Sequence, residues 1–84
     1  MKTIKYNNKT IKLPFADADY SDAPLEMETV KNPFSGESIA MPRFAVAVYD
    51  VIMGSEQTQD RDKHRKGLDW FIKYFPKQYM TLLD

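Results

Sequence analysis

The sequence predicts an α+β domain: an N-terminal β-hairpin and a short third strand, packed with two to three C-terminal helices. Three observations predict it. Apolar residues alternate at Ile4, Tyr6, Ile11 and Leu13 around Asn7-Asn8, the period of a strand pair joined by a two-residue turn. A nearly all-apolar run from Phe44 to Met53 follows Pro42. Leu68, Phe71, Ile72 and Phe75 then recur at helical spacing.

The 84 residues form one domain, near the lower size at which a single core suffices. Residues 1–13 read as the hairpin, because asparagine tolerates the left-handed geometry of a two-residue turn. Lys2, Lys5, Lys9 and Lys12 are expected on its outer face, where lysines discourage edge pairing. Residues 14–31 read as an acidic surface loop carrying Asp17, Asp19, Asp22, Glu26 and Glu28. Phe15, Tyr20, Leu25 and Met27 are expected to tack it to the core, with Leu25 to Val30 open to a strand or a helical turn. A calcium loop starting at Asp17 fails on physical grounds. Its sixth position needs glycine and holds Asp22, and Pro24 interrupts it.

Residues 32–41 read as a turn and a strand. Pro33 and Gly36 supply turn geometry, and Met41 precedes a proline that keeps it extended. Residues 42–54 read as the central helix, with Phe44, Val48, Val51 and Ile52 on one face and Gly54-Ser55 at its end. Residues 59–75 read as a second helix capped by Asp60, and 76–83 as a short last one opened by Pro76. Gly67 inside the second pattern costs about 1 kcal/mol relative to alanine, which predicts close approach of a neighbour or a bend.

Two resemblances attach to these residues. The string Lys31-Asn32-Pro33-Phe34-Ser35-Gly36-Glu37 through Pro42 is similar to the arm of HU-type histone-like DNA-binding proteins, and Pro33 matches the proline that wedges between bases there. Only about thirty non-helical residues precede it, and it carries Lys31 but no arginine before Arg43. It therefore reads as convergent turn chemistry. The turn–strand–helix pattern, with Gly67-Leu68-Asp69-Trp70-Phe71 and Tyr79-Met80 before Leu82-Leu83, resembles small uncharacterised proteins of tailed phages of aquatic bacteria. That resemblance implies no activity.

Composition excludes several classes. There is no cysteine, hence no disulfide framework and no cysteine-based zinc site. Twelve basic residues balance twelve acidic ones, which removes the simplest electrostatic case for nucleic acid. No apolar run reaches membrane-spanning length, and the first residues lack a signal-peptide centre. A cytoplasmic setting is expected, in a bacterium or an infected host.

No phosphate loop, dinucleotide fingerprint or metal-binding histidine pair occurs. His64 is the only histidine, and no spacing marks a nucleophile beside it. The expectation is therefore a non-enzymatic interaction module without cofactor, metal or small-molecule substrate. It would act through a protein partner or by dimerisation. Its aromatics and methionines exceed what so small a core hides, Phe34 and Tyr49 among them. Trp70, Tyr74, Tyr79, Met80 and Leu83 are the candidate surface. The alternative is weak nucleic-acid binding through Lys9 and Lys12 of the hairpin and the cluster Arg61, Lys63, His64, Arg65 and Lys66. Cations at a helix start oppose its dipole, so either Asp60 and Asp62 offset them or an anion binds there.

Overall fold

The computed structural model describes residues 3–16, 18–21 and 23–83. Lys2, Asp17 and Asp22, named above, lie outside the described residues. The elements run β1 (Thr3–Tyr6), β2 (Lys9–Lys12), β3 (Met27–Lys31), β4 (Ser38–Pro42), α1 (Arg43–Thr58), α2 (Arg61–Tyr74) and α3 (Pro76–Leu82). The fold is α+β, with two antiparallel hairpins rather than one hairpin and a lone strand. The strand before Pro42 pairs with β3, so the loop read over 14–31 ends in a strand.

In the first hairpin Ile4 faces Ile11 and Tyr6 faces Lys9. Asn7 and Asn8 both have positive φ, 50° and 64°, as a type I′ turn requires. This register corrects the lysine placement. Residues directly opposite share a face, so Lys9 lies on the side of Tyr6 and Ile11, while Lys5 and Lys12 lie on the other.

Of the four loop residues expected in the core, Phe15 and Tyr20 are buried, but Leu25 and Met27 are 55% and 53% exposed. The second half of the loop is held by its main chain instead. The first two N–H groups of α1, Arg43 and Phe44, donate to the carbonyls of Glu26 (2.8 Å) and Pro24 (3.0 Å). Helix starts leave such donors without intrahelical partners, and α1 has no side-chain cap. The segment leading into β3 and the helix start thus satisfy each other.

Helix α1 continues past Gly54 and Ser55 to Thr58, and Gln59 takes the left-handed terminal position at φ 58°. The expected stop fails because the polar side chains bond to the helix itself. Ser55 Oγ donates to the Ile52 carbonyl at 2.6 Å and Thr58 Oγ1 to that of Gly54 at 3.3 Å. Asp60 caps α2 as its sequence predicts, accepting from Lys63 N at 3.1 Å.

The core lies where α1 meets α2 and both hairpins. Met41, Phe44, Val48, Ile52 and Phe71 are fully buried. An aromatic chain runs through it: Tyr6 against Phe44 (5.5 Å between centroids), Phe44 against Trp70 (6.2 Å), and Trp70 against Phe75 (5.4 Å). Edge-on and tilted contacts at these distances suit the ring quadrupoles. Trp70, read above as a surface residue, is therefore a core residue, only 6% exposed. Its indole N–H donates to the Lys12 carbonyl at 2.6 Å and ties α2 to β2. Tyr49, also counted among the surplus aromatics, is buried too.

Candidate functional site

Helical periodicity decides what becomes of the basic cluster at residues 61–66. Positions 61, 64, 65 and 68 fall on one flank of α2, and 63, 66, 70 and 73 on the other. Arg61, His64, Arg65 and Leu68 line a groove of about 590 Å³ with Ser55 and Glu56 from the end of α1. Lys63 and Lys66 border a different hollow, with Pro14, Phe15 and Ala16. Lys9 joins Lys73 and Tyr74 around a third, of about 120 Å³. The described basic residues that line these hollows are thus divided among three of them.

The first groove contains a neighbourhood that spacing could not reveal, because it spans two helices. His64 Nδ1 lies 3.4 Å from Ser55 Oγ, and His64 Nε2 lies 4.0 Å from Glu56 Oε1. A serine, a histidine and a carboxylate side by side invite comparison with a hydrolytic triad. The hydrogen-bond roles run the other way. A hydroxyl has one proton, and that of Ser55 goes to the Ile52 carbonyl. Ser55 Oγ is then the acceptor of His64 Nδ1–H, so histidine has no serine proton to remove. Ser55 is also buried, 3% exposed, at the floor of that groove. The Ser55–His64 contact sets the start of α2 against the end of α1.

Of the predicted interaction residues other than Trp70, Tyr74, Tyr79 and Leu83 are half-buried against the core, and Met80 alone is strongly exposed, at 68%. Lys73 Nζ sits 5.2 Å from the centre of the Tyr74 ring, a cation–π distance. Among the described residues no group of three or more metal-ligating side chains converges, and no helix is long and apolar enough to cross a membrane.

Among the described residues the most exposed large hydrophobic side chain is Phe34, at 94%, in the β3–β4 turn. Asn32 builds that turn. Its Oδ1 accepts from the N–H groups of Phe34 (2.9 Å) and Ser35 (3.4 Å), and its carbonyl accepts from Gly36 N at 2.9 Å. Its Nδ2 donates to the Thr81 carbonyl at 3.0 Å and braces the turn on α3. Gly36, at φ 79°, supplies the positive φ that closes the loop. Phe34 is thus held outward on a turn bonded both internally and to the body of the domain. Asn-Pro and Ser-Gly marked the turn, but only the brace to Thr81, 49 residues away, shows how firmly it is seated.

Comparison with known proteins gave no likeness to draw on: no protein-family model, curated protein or solved structure matches this chain.

Proposed function

We propose that this chain is a small non-enzymatic interaction protein, cytosolic and of phage origin, that acts by docking onto another protein. The observation that carries this reading is Phe34, almost wholly exposed on a turn that Asn32 braces against α3. An exposed phenylalanine forgoes about 1.5–3 kcal/mol of burial free energy. Binding recovers that term at little ordering cost when the side chain sits on a pre-organised backbone. Aromatic anchors filling a partner's pocket commonly dominate interface energetics.

The serine–histidine geometry supports the non-enzymatic part of the reading, since Ser55 is buried and its proton is engaged. The division of the basic residues among three hollows supports ranking a protein partner above nucleic acid. The test is a photo-crosslinking phenylalanine analogue at position 34, in cells that make the protein, with the same probe at exposed position 57 as control. A discrete adduct specific to position 34 is expected. The same diffuse pattern from both positions would overturn the reading.

A further inference from the structure

We infer that the partner is a second copy of this chain, joined antiparallel through β3 about Thr29 into a continuous four-stranded sheet. This rests on the protein-docking reading above and names its partner.

The argument starts from which backbone groups of β3 point outward. Antiparallel pairs alternate between residues that exchange ladder bonds and residues whose N–H and C=O face away. Two bonds fix the phase. Asn32 N donates to the Glu37 carbonyl at 2.7 Å, and Arg43 N donates to that of Glu26 at 2.8 Å. With Val30 opposite Ile39 and Glu28 opposite Met41, the even-numbered residues of β3 face β4. Met27, Thr29 and Lys31 therefore turn their N–H and C=O groups to the outside. Among the described residues, no hydrogen bond outside the β3–β4 ladder reaches those backbone groups.

The opposite edge is obstructed by α3. On β4 the outward residues are Ser38, Ala40 and Pro42. The Ala40 carbonyl accepts from Gln78 Nε2 of α3 at 3.2 Å, and Pro42 has no N–H to offer. In the other hairpin, the outward Lys12 carbonyl of β2 is bonded to Trp70, and β1 offers only Thr3 and Lys5. Among the described residues, the β3 edge is the longest open one.

That edge is self-complementary. A two-fold axis at Thr29 sets Thr29 opposite its copy and Met27 opposite Lys31, so all three outward residues meet outward partners. Each such pair exchanges two backbone bonds. Glu28, which would approach its own copy diagonally, is already paired with Arg43, with Nε 3.5 Å from Oε1. The Lys31 stem covers the exposed Met27 of the other copy. The same register brings the Phe34 turn of one copy to the Pro24–Leu25 end of the other. Leu25, Met27 and Phe34, three of the five exposed large hydrophobics among the described residues, would then lie in one interface. Closed two-fold pairing also removes the free edge that would otherwise recruit unrelated strands.

Two variants test this in the full chain. Thr29→Pro removes an N–H that faces outward, a substitution an edge strand tolerates, but it blocks the central pair. Sedimentation at high micromolar concentration should show a dimer for the parent and a monomer for Thr29→Pro, with matching circular dichroism. Because the chain has no cysteine, Thr29→Cys introduces a single thiol that should form a disulfide-linked dimer on mild oxidation. Lys31→Cys should not, since its copy lies several residues away along the strand, beyond disulfide reach. If Thr29→Pro fails to fold, the cysteine pair decides. A monomeric parent, a dimer that Thr29→Pro leaves intact, or equal crosslinking at 29 and 31 would overturn the inference. An adduct from position 34 with a different protein, beside a monomeric parent, would sink self-pairing and leave the docking reading standing.

Discussion

Gly67 of α2 lies so close to Ile52 of α1 that a Cβ at position 67 would overlap Ile52 Cγ1 and sit 2.7 Å from its Cδ1. The Phe15 ring closes the third side, with Cζ at 3.4 Å. The two helices cross here with no room for a methyl group, which accounts for a glycine in the middle of a helix.

Gly67→Ala should therefore destabilise the protein, although alanine is the better helix former by about 1 kcal/mol. Overpacking a tight core typically costs about 1–3 kcal/mol, and Ile52, which would have to shift, is fully buried. Thermal melts should show a lower midpoint for Gly67→Ala. In an Ile52→Ala background the same change should raise the midpoint, because the obstructing atoms are gone. A rise in both backgrounds would mean the crossing is looser than described.

Val48→Asp should unfold the chain. Val48 is completely buried in the middle of α1, and an unpaired carboxylate there costs several kcal/mol. Domains carry only roughly 0.05–0.15 kcal/mol of stability per residue. Far-UV circular dichroism should lose its helical signal at room temperature. An unchanged melting curve would refute the central role of α1.

Much of this architecture is legible in the residues. The Ile4–Leu13 alternation and Asn7-Asn8 specify a hairpin by local rules, and Gly67 announces a close contact. What escapes is whatever depends on distant pairing. Nothing local says that Met27 to Lys31 will find the strand before Pro42, because strand pairing is decided between segments. Trp70 reads as surplus because its place depends on a carbonyl 58 residues earlier. Ser55 reads as a helix end because its hydroxyl could face solvent, whereas burial turns it onto Ile52. The Ser55–His64 contact is invisible for the same reason, while Phe34 could be named as surplus but not seen to be braced.

Asp50 gives a pH dependence. Asp50 lies on an exposed flank of α1, where partial desolvation, and secondarily the negative charge of Glu28, raise its pKa above the ordinary carboxylate value. The folded protein thus holds this proton more tightly than the unfolded chain. Stability from this group is greatest below the unfolded pKa and is lost as pH rises through the raised folded value. Asp50→Asn should melt slightly higher than the parent at neutral pH, with the gap closing below about pH 4, the unperturbed range. A gap independent of pH would show that ionisation of Asp50 does not oppose folding.

Nucleic acid should bind weakly at most. Affinity for a duplex grows with the number of phosphates neutralised at once. Here Lys9 and Lys12 occupy opposite faces of one hairpin, and Arg61 and Arg65 open onto a different groove from Lys63 and Lys66. Fluorescence anisotropy with a labelled duplex at physiological salt should give no binding tighter than about a micromolar. Tighter binding that Lys9→Glu with Lys12→Glu abolishes would reverse the ranking of partners.

The bond from Trp70 to the Lys12 carbonyl also gives the molecule an intrinsic optical reporter. The chain has a single tryptophan, placed where the first hairpin rests on the second helix. Its emission reads the seating of that hairpin, whereas far-UV ellipticity reads mainly the three helices. If the hairpin lifts away first, the indole meets water and its emission moves to longer wavelength while ellipticity is still near its native value. If the domain melts as one unit, the two signals coincide through the whole transition. A native sequence with one tryptophan at one seam, excited selectively over its tyrosines, thus separates local release from global unfolding without any label.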